Sequence, residues 1–306
     1  MAFSFTRFIH SLILIGIAFG LIAGGCSLPL HAASTQANTA APTSPPAPSQ
    51  PPPTATPSGP LAAKVNGEGI LLSELNAELE RFQAADKETG KNTPDDKARQ
   101  QVLDELVNQT LLAQAAYKDG YKLDDAAFQA RLDQLTQQAG GASALVDWEK
   151  RNSYDDTSFR LALRRSLAAA WERDKIINAV PATAEQVHAA QILVLDEGTA
   201  LKIEQQLQTG AKFATLVQQY DPTTGGELGW FPRGYLTQPE VEAAAFSLQP
   251  GQFSQVIKTS FGFHIIEVIE RDDKHPLSPD ARQTLQLQAL DKWLQDQRTN
   301  GKIEVE

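Results

Sequence analysis

An α+β protein follows from three features of the sequence. Residues 62–180 carry apolar positions at the helical period, punctuated by hydroxyl, aspartate, proline and glycine signals for helix ends. Residues 181–273 alternate strand-like and helical runs in the order β-α-α-α-β-β. Residues 274–306 add one more helix and a short strand-like tail. The chain has 306 residues and a formal net charge of -10, from 37 acids against 27 bases. The part beyond residue 61 is long enough for two cores. It contains no basic run of the kind a nucleic-acid partner requires.

The first 61 residues are of another kind. Arg7 is the only formal side-chain charge ahead of an apolar run, Phe8 to Gly25, so residues 1–25 read as the n-region and h-region of an export signal. The run ends in IAGGC, which resembles a bacterial lipobox with Ala23 where Leu is more usual. That resemblance implies lipidation of Cys26 and an extracytoplasmic lipoprotein anchored to the bacterial cell membrane. Two acyl chains would hold it far better than one. Two other outcomes stay open: retention of the run as a transmembrane anchor, and ordinary cleavage near His31-Ala32-Ala33, which would leave a secreted protein. Cys26 is the only cysteine, which excludes a disulfide framework and a cysteine zinc site. Residues 26–61 are dominated by Ala, Pro, Ser, Thr and Gln. Such a composition buries too little to offset chain entropy, so a disordered, partly polyproline-II tether is expected.

In residues 62–180, Asn66-Gly67 is a tight-turn pair between two short β-type runs. Ser73 is placed to cap a helix reaching about Glu80. Thr93-Pro94-Asp95-Asp96 starts the next helix, with Thr93 as cap and Pro94 at the first position. Leu103, Leu106, Val107, Leu111 and Ala115 form its apolar face, and Asp119-Gly120 ends it. Another helix follows Leu123, aligns Phe128, Leu132 and Leu135, and stops at Gly140-Gly141. A short helix spans about 144–150. A long one runs from Asp156 to Asn178 with Phe159, Leu163, Leu167, Ala170, Trp171 and Ile177 as apolar positions, and Pro181 forces the boundary.

In residues 181–273, HAAQILVL is a strand. Residues 199–209 and 211–220 are helices joined at Gly210, and 239–248 is a third helix. GQFSQVIKT and FGFHIIEVI are the last strands. Between them GGELGWFPRG, Gly225 to Gly234, reads as a glycine-dense turn, an aromatic pair and an arginine-glycine turn. After this block, Ser278-Pro279-Asp280 caps a helix with Leu287, Leu290, Trp293 and Leu294 on its apolar face, followed by KIEVE.

GGELGWFPRG and SFGFHIIEVIE together resemble the parvulin family of peptidyl-prolyl cis/trans isomerases. The opening VNGE…I…EL of residues 65–75 is similar to the helical chaperone module of the SurA and PrsA families. The resemblance implies five segments: signal peptide 1–25, tether 26–61, chaperone module 62–180, parvulin domain 181–273 and a returning C-terminal helix and tail 274–306. The parvulin fold it implies is a small antiparallel sheet wrapped by helices, inserted into the helical module.

The site residues implied by the resemblance are a polar cluster of His264, Thr259, Asp221 and Gln191, and a proline pocket of Leu236, Val241 and Phe246. Gln191 stands where the family has a histidine, and glutamine can still donate and accept hydrogen bonds. Val241 stands where phenylalanine is usual, a loss of about 1 kcal/mol or more of apolar contact. The chemistry needs little else. Rotation about a prolyl amide is opposed by partial double-bond character, a barrier of about 18–20 kcal/mol. A catalyst must bind the twisted amide better than the planar one. No cofactor and no metal is expected; the sequence has no HExxH, GxSxG or phosphate loop.

The loop LDEGT after the first strand carries Asp196 and Glu197, and residues 185–273 hold 12 acids against 5 bases. An anionic substrate would be repelled, so no preference for phosphorylated peptides is expected. The expected partners are unfolded or nascent exported polypeptides, with the membrane reached through the lipid. Three functions compete: an active isomerase and chaperone, a non-catalytic holdase with a degenerate parvulin domain, and an envelope lipoprotein that uses the fold as scaffold. Gln191 and Val241 favour the second. Leu236, Phe246, Thr259, His264 and the glycine motif favour the first.

Overall fold

The computed structural model describes residues 59–222 and 224–306, which fall into two compact units, 59–173 with 294–306 and 174–293. The signal peptide, Cys26 and nearly all of the tether lie outside the described residues.

In the first unit, strands β1 (Leu61–Val65) and β2 (Glu68–Leu71) form an antiparallel hairpin. Asn66 and Gly67 take φ values of +52° and +90°, the left-handed pair that a two-residue hairpin turn demands. Strand β7 (Ile303–Val305) adds to the free edge of β1, with Ala63 opposite Val305 and Val65 opposite Ile303. Asn66 locks this return: its N–H donates to Lys302 O and its Oδ1 accepts from Lys302 N–H, both at 2.8 Å. The C-terminal tail, residues 294–306, is thus part of the first unit, while residues 274–293 belong to the second.

Five helices begin in this unit: α1 (Leu72–Glu88), α2 (Asp95–Lys118), α3 (Asp125–Ala139), α4 (Ala142–Arg151) and α5 (Asp156–Asn178). Val65, Ile70, Leu75, Leu103, Leu106, Val107 and Leu111 form one core, and Phe128, Leu132, Leu135, Phe159 and Leu163 another. The ends of α3 follow from chemistry. Asp124 accepts the Ala127 N–H at 2.7 Å, and Gly140 turns left-handed at the C-terminus.

Three expectations are corrected here. Ser73 lies inside α1 and caps nothing; the helix leaves β2 directly at Leu72 without a side-chain cap and runs on to Glu88. The start of α2 falls one residue late, so Pro94 rather than Thr93 occupies the cap position. Trp171 lies on the exposed side of α5, and Ala168 and Ala169 take the buried places. Small side chains let α5 pack closely there, where a periodicity count favours the larger residue.

The second unit is built on a four-stranded antiparallel sheet of order β4-β3-β6-β5. The strands are β3 (Thr183–Val194), β4 (Glu227–Pro232), β5 (Ile257–Thr259) and β6 (Gly262–Pro276). Helices α6 (Glu197–Gln208), α7 (Phe213–Tyr220) and α8 (Pro239–Ser247) pack on it, and α9 (Pro279–Asn300) follows. The element order is therefore β-α-α-β-α-β-β; the strand missing from the sequence reading is β4. Gly229 within it and Pro232 at its end suppress the β signal, yet its pairing with β3 sets Phe231 opposite Val187 and Trp230 opposite His188.

Each face of the sheet has its own core. Val187 and Ala189 of β3 and Ile266 and Val268 of β6 point to one side, with Phe231, Val241, Ala245 and Phe246. Ala190, Ile192 and Ile265 point to the other, under Ile203, Leu207, Phe213, Leu216 and Val217 of α6 and α7. This is the period-2 alternation of a sheet covered on both faces.

Candidate active site

Register decides which polar residues meet. Leu193 of β3 lies opposite His264 of β6, Gln191 opposite Ile266, and Ile257 of β5 on the far side of His264. Residues directly opposite share a face, so Gln191 and His264 stand on the same side as Ile266 and Val268, the side of Val241 and Phe246.

His264 is 3% exposed and both of its ring nitrogens are engaged. Nδ1 lies 3.0 Å from Gln191 Oε1, and Nε2 lies 2.9 Å from Thr259 Oγ1. An amide oxygen only accepts, so Nδ1 carries the proton and Nε2 accepts from the threonine hydroxyl. That hydroxyl in turn accepts the Phe261 N–H at 3.1 Å. Burial holds the imidazole pKa below its ordinary value, and neither hydrogen-bond partner carries a charge. The ring is neutral at neutral pH.

The glycine motif serves this chain of bonds. Gln191 N–H donates to Gly226 O at 2.7 Å. Gly226 has φ +68°, and a Cβ there would stand 2.3 Å from Gln191 O. No other residue lets the loop approach β3 so closely. Asp221, at the C-terminal end of α7, begins the same loop: its carbonyl accepts the Gly225 N–H at 3.2 Å. Its side chain is 9% exposed, and its Oδ2 is buried without a hydrogen-bond partner among the described residues. No hydrogen bond given by the structure joins Asp221 to His264. Of the four polar residues, the structure brings Gln191, His264 and Thr259 into one network and leaves Asp221 on the adjoining loop.

The three apolar residues share one cluster in different ways. Val241 and Phe246 are 2% and 5% exposed, so they wall the site from within, while Leu236 is only partly buried. The surface a ligand could touch is that of Leu236 with Leu228, Tyr235 and Ile257, which pack on the same cluster. Leu228 was missed by sequence reasoning because its strand was missed. Phe231 meets Phe246 edge to face at 6.0 Å. The Arg233 guanidinium lies 4.0 Å over the Phe246 ring and is held by Glu185 at 3.1 Å. Arg271 donates to Phe246 O at 2.7 Å. Glu242 of α8 accepts the N–H groups of Gly234 and Leu236 at 2.6 and 3.0 Å, which fixes the loop that presents Leu236. These charged supports were also missed; the acid in PEVE was the available signal.

His188 stands on the opposite face. It stacks on Trp230 at 5.4 Å, and Trp230 stacks on His275 at 4.0 Å. Carboxylates surround the stack: Glu227 lies 2.6 Å from His188 Nε2, and Asp272 lies 3.5 Å from His275 Nδ1. Among the described residues, no group of three or more His, Cys, Asp or Glu side chains could hold a metal ion, and no helix is long and apolar enough to cross a membrane.

Two family models match the chain: a PPIC-type PPIase domain over residues 177–270 and a SurA-like N-terminal domain over residues 54–160. The foldase protein PrsA of Geobacillus sp. (strain WCH70) is 30% identical over 223 residues, covering 68% of this chain and 77% of that protein. The foldase protein PrsA of Caldanaerobacter subterraneus subsp. tengcongensis is 32% identical over 236 residues, covering 69% and 73%. A solved structure, the peptidylprolyl isomerase PrsA of Bacillus anthracis, aligns over 65% of this chain and 96% of its own, at 25% identity and a TM-score of 0.41.

Proposed function

The chain belongs to the PrsA foldase family, and from that premise we propose how its residues perform the reaction. It is a parvulin-type peptidyl-prolyl cis/trans isomerase joined to a SurA-like helical module. The observation that carries the assignment of roles is the bond chain Gln191–His264–Thr259, set on the sheet face that also carries the Leu236 cluster.

In this reading the proline ring rests on Leu236, Leu228 and Ile257, with Val241 and Phe246 as the rigid wall behind. The planar amide is stabilised by charge separation between its oxygen and nitrogen, and twisting abolishes that separation. The apolar wall excludes water from the amide, which disfavours the charge-separated planar form relative to the twisted one, and a neutral His264 behind it adds no positive charge that would restore the planar form. Gln191 and Thr259 are positioning residues that hold the ring and its tautomer. Asp221 keeps a buried acceptor on the adjoining loop and acts, in this reading, by holding that loop rather than by touching the substrate.

A protease-coupled assay of proline isomers tests this. The wild-type chain is expected to raise the rate above the uncatalysed one, with a fall of at least about tenfold in kcat/KM on His264→Ala. A rate equal to the uncatalysed one, unmoved by His264→Ala, would overturn it and leave the holdase reading. Phosphorylated peptides are expected to show no lower KM than unmodified ones, because Asp196 and Glu197 face them.

Work outside the cytoplasm on unfolded exported polypeptides belongs to the same proposal, as does anchoring through Cys26. The support is Arg7 followed by the apolar run to IAGGC and the family itself. Intact mass of the mature protein tests the anchor: a diacylglyceryl adduct lost in Cys26→Ser supports it, and an unmodified mature chain contradicts it.

A further inference from the structure

Prolines in the segment before the first strand keep a regular interval. Pro42, Pro45, Pro48 and Pro51 stand three residues apart, and after Thr54 the interval resumes at Pro57 and Pro60. Polyproline II has three residues per turn, and proline-rich sequence favours it. In that conformation the spaced prolines form a stripe along one side. Residues 27–60 carry no Asp, Glu, Lys or Arg, so only apolar contact and backbone hydrogen bonds can read the stripe.

The first unit offers a matching surface. Tyr117 near the end of α2, Tyr121 just after it and Trp171 of α5 form a row of rings, with centroids 6.0 Å apart from Tyr117 to Tyr121 and 5.6 Å from Tyr121 to Trp171. The ring planes are tilted by 51° and 40°, so the row has clefts rather than one flat face. Trp171 is 37% exposed, and both tyrosines are half-buried. Grooves lined by aromatic rings are what a polyproline II ligand docks on. One of its turns advances about 9 Å, enough for one proline to seat between Tyr117 and Tyr121 and the next against Trp171. The reach agrees. Pro60 O accepts the Leu72 N–H at 2.9 Å, which fixes where the segment joins the unit. Gln114 ties α2 to the far end of β1: its Nε2 donates to Val65 O and its Oε1 accepts from Asn66 Nδ2, both at 2.9 Å. Strand β1 spans about 17 Å, and Tyr117 lies about 5 Å along α2 from Gln114. Residues 51–60 as polyproline II span about 28 Å, so Pro42 to Pro51 can reach the row.

We infer that residues 42–51 dock intramolecularly on the Tyr117–Tyr121–Trp171 row, which makes the proline stripe an internal ligand of the helical unit. Being joined to its site, the stripe acts at a millimolar effective concentration, ahead of any dilute partner. Docked, it holds the unit close to its N-terminal attachment and covers the rings. The inference depends on neither catalysis nor lipidation, because residues 42–60 follow both Cys26 and His31-Ala32-Ala33.

The test uses the mature chain, residues 26–306, made without lipid. A nitroxide is placed at residue 47 through Ala47→Cys in a Cys26→Ser background, and paramagnetic broadening of the tryptophan indole N–H signals is read by NMR. The Trp171 signal is expected to lose most of its intensity, while that of Trp230 in the second unit keeps its own. Replacing the stripe, Pro42→Ala, Pro45→Ala, Pro48→Ala and Pro51→Ala together, is expected to cut the Trp171 effect at least about fivefold. Replacing the prolines off the stripe, Pro46→Ala, Pro52→Ala and Pro53→Ala together, is expected to keep it within about twofold. Broadening of Trp171 that is absent, or equally reduced by both sets, would overturn the docking. Broadening that appears only when spin-labelled chains are mixed with isotope-labelled ones would overturn it in favour of a second copy. Broadening centred on His264 instead would put the segment in the proline site and overturn it too.

Discussion

Two histidines on β3 and β6, on opposite faces of one sheet, have opposite surroundings. His264 is buried, and its partners are an amide and a hydroxyl. His188 is partly open, stacked on Trp230, with the carboxylates of Glu227 and Glu270 at 2.6 and 3.8 Å. Uncharged partners in a dry place suit the neutral imidazole that the proposed mechanism requires. Carboxylates and an indole suit an imidazole whose work is to clip strands together. In the proposed mechanism the two histidines differ not by residue type but by the charge of what each touches.

The largest way to break this contrast is at Gly226. Gly226→Ala would force a side chain into Gln191 O at a left-handed φ. The expected loss is about 2–4 kcal/mol in urea unfolding, with Gln191 displaced from His264; an unaffected midpoint would refute the close approach. Next is Thr259→Val, which leaves the buried Nε2 without its donor. It should cost about 1–2 kcal/mol and lower kcat/KM, whereas His188→Gln should leave the rate within about twofold. On the outer face, Trp230→Leu removes two ring stacks and should cost about 1 kcal/mol with no change in kcat/KM.

The smallest effect is on pH dependence. The folded pKa of His264 lies below its ordinary value, so on acidification the unfolded chain takes up the proton first. The stability is therefore complete above about pH 6.5 and declines as the pH falls through the lowered folded value. His264→Gln should remove that part of the decline in acid unfolding curves; an unchanged pH profile would count against it.

Much of this was legible locally. The Asn66-Gly67 turn, the span of α5 before Pro181, and the Asp124 and Gly140 ends of α3 are each set by the residues at those positions. What was not legible depends on partners distant in sequence. Strand β4 has a glycine and a proline and is a strand because β3 lies beside it. The tail Ile303–Val305 reads as a strand, but its place beside β1 requires Lys302 to find Asn66. In the site, the resemblance pointed to His264, Thr259, Gln191 and Asp221, while the bond from Gln191 to His264 needed the β3–β6 register and the place of Asp221 outside that network needed the loop after α7. Leu228 and the stacking of Trp230 between His188 and His275 each need that sheet assembled. The Glu242 clamp needs α8 folded against the loop that carries Leu236.

The most direct measurement is imidazole nitrogen NMR of the full chain at pH 7, with and without a proline peptide. The account predicts that His264 is neutral with its proton on Nδ1 and that its signals move on peptide addition, while those of His188 do not. A charged or Nε2-protonated His264, or one whose signals ignore the peptide, would contradict it.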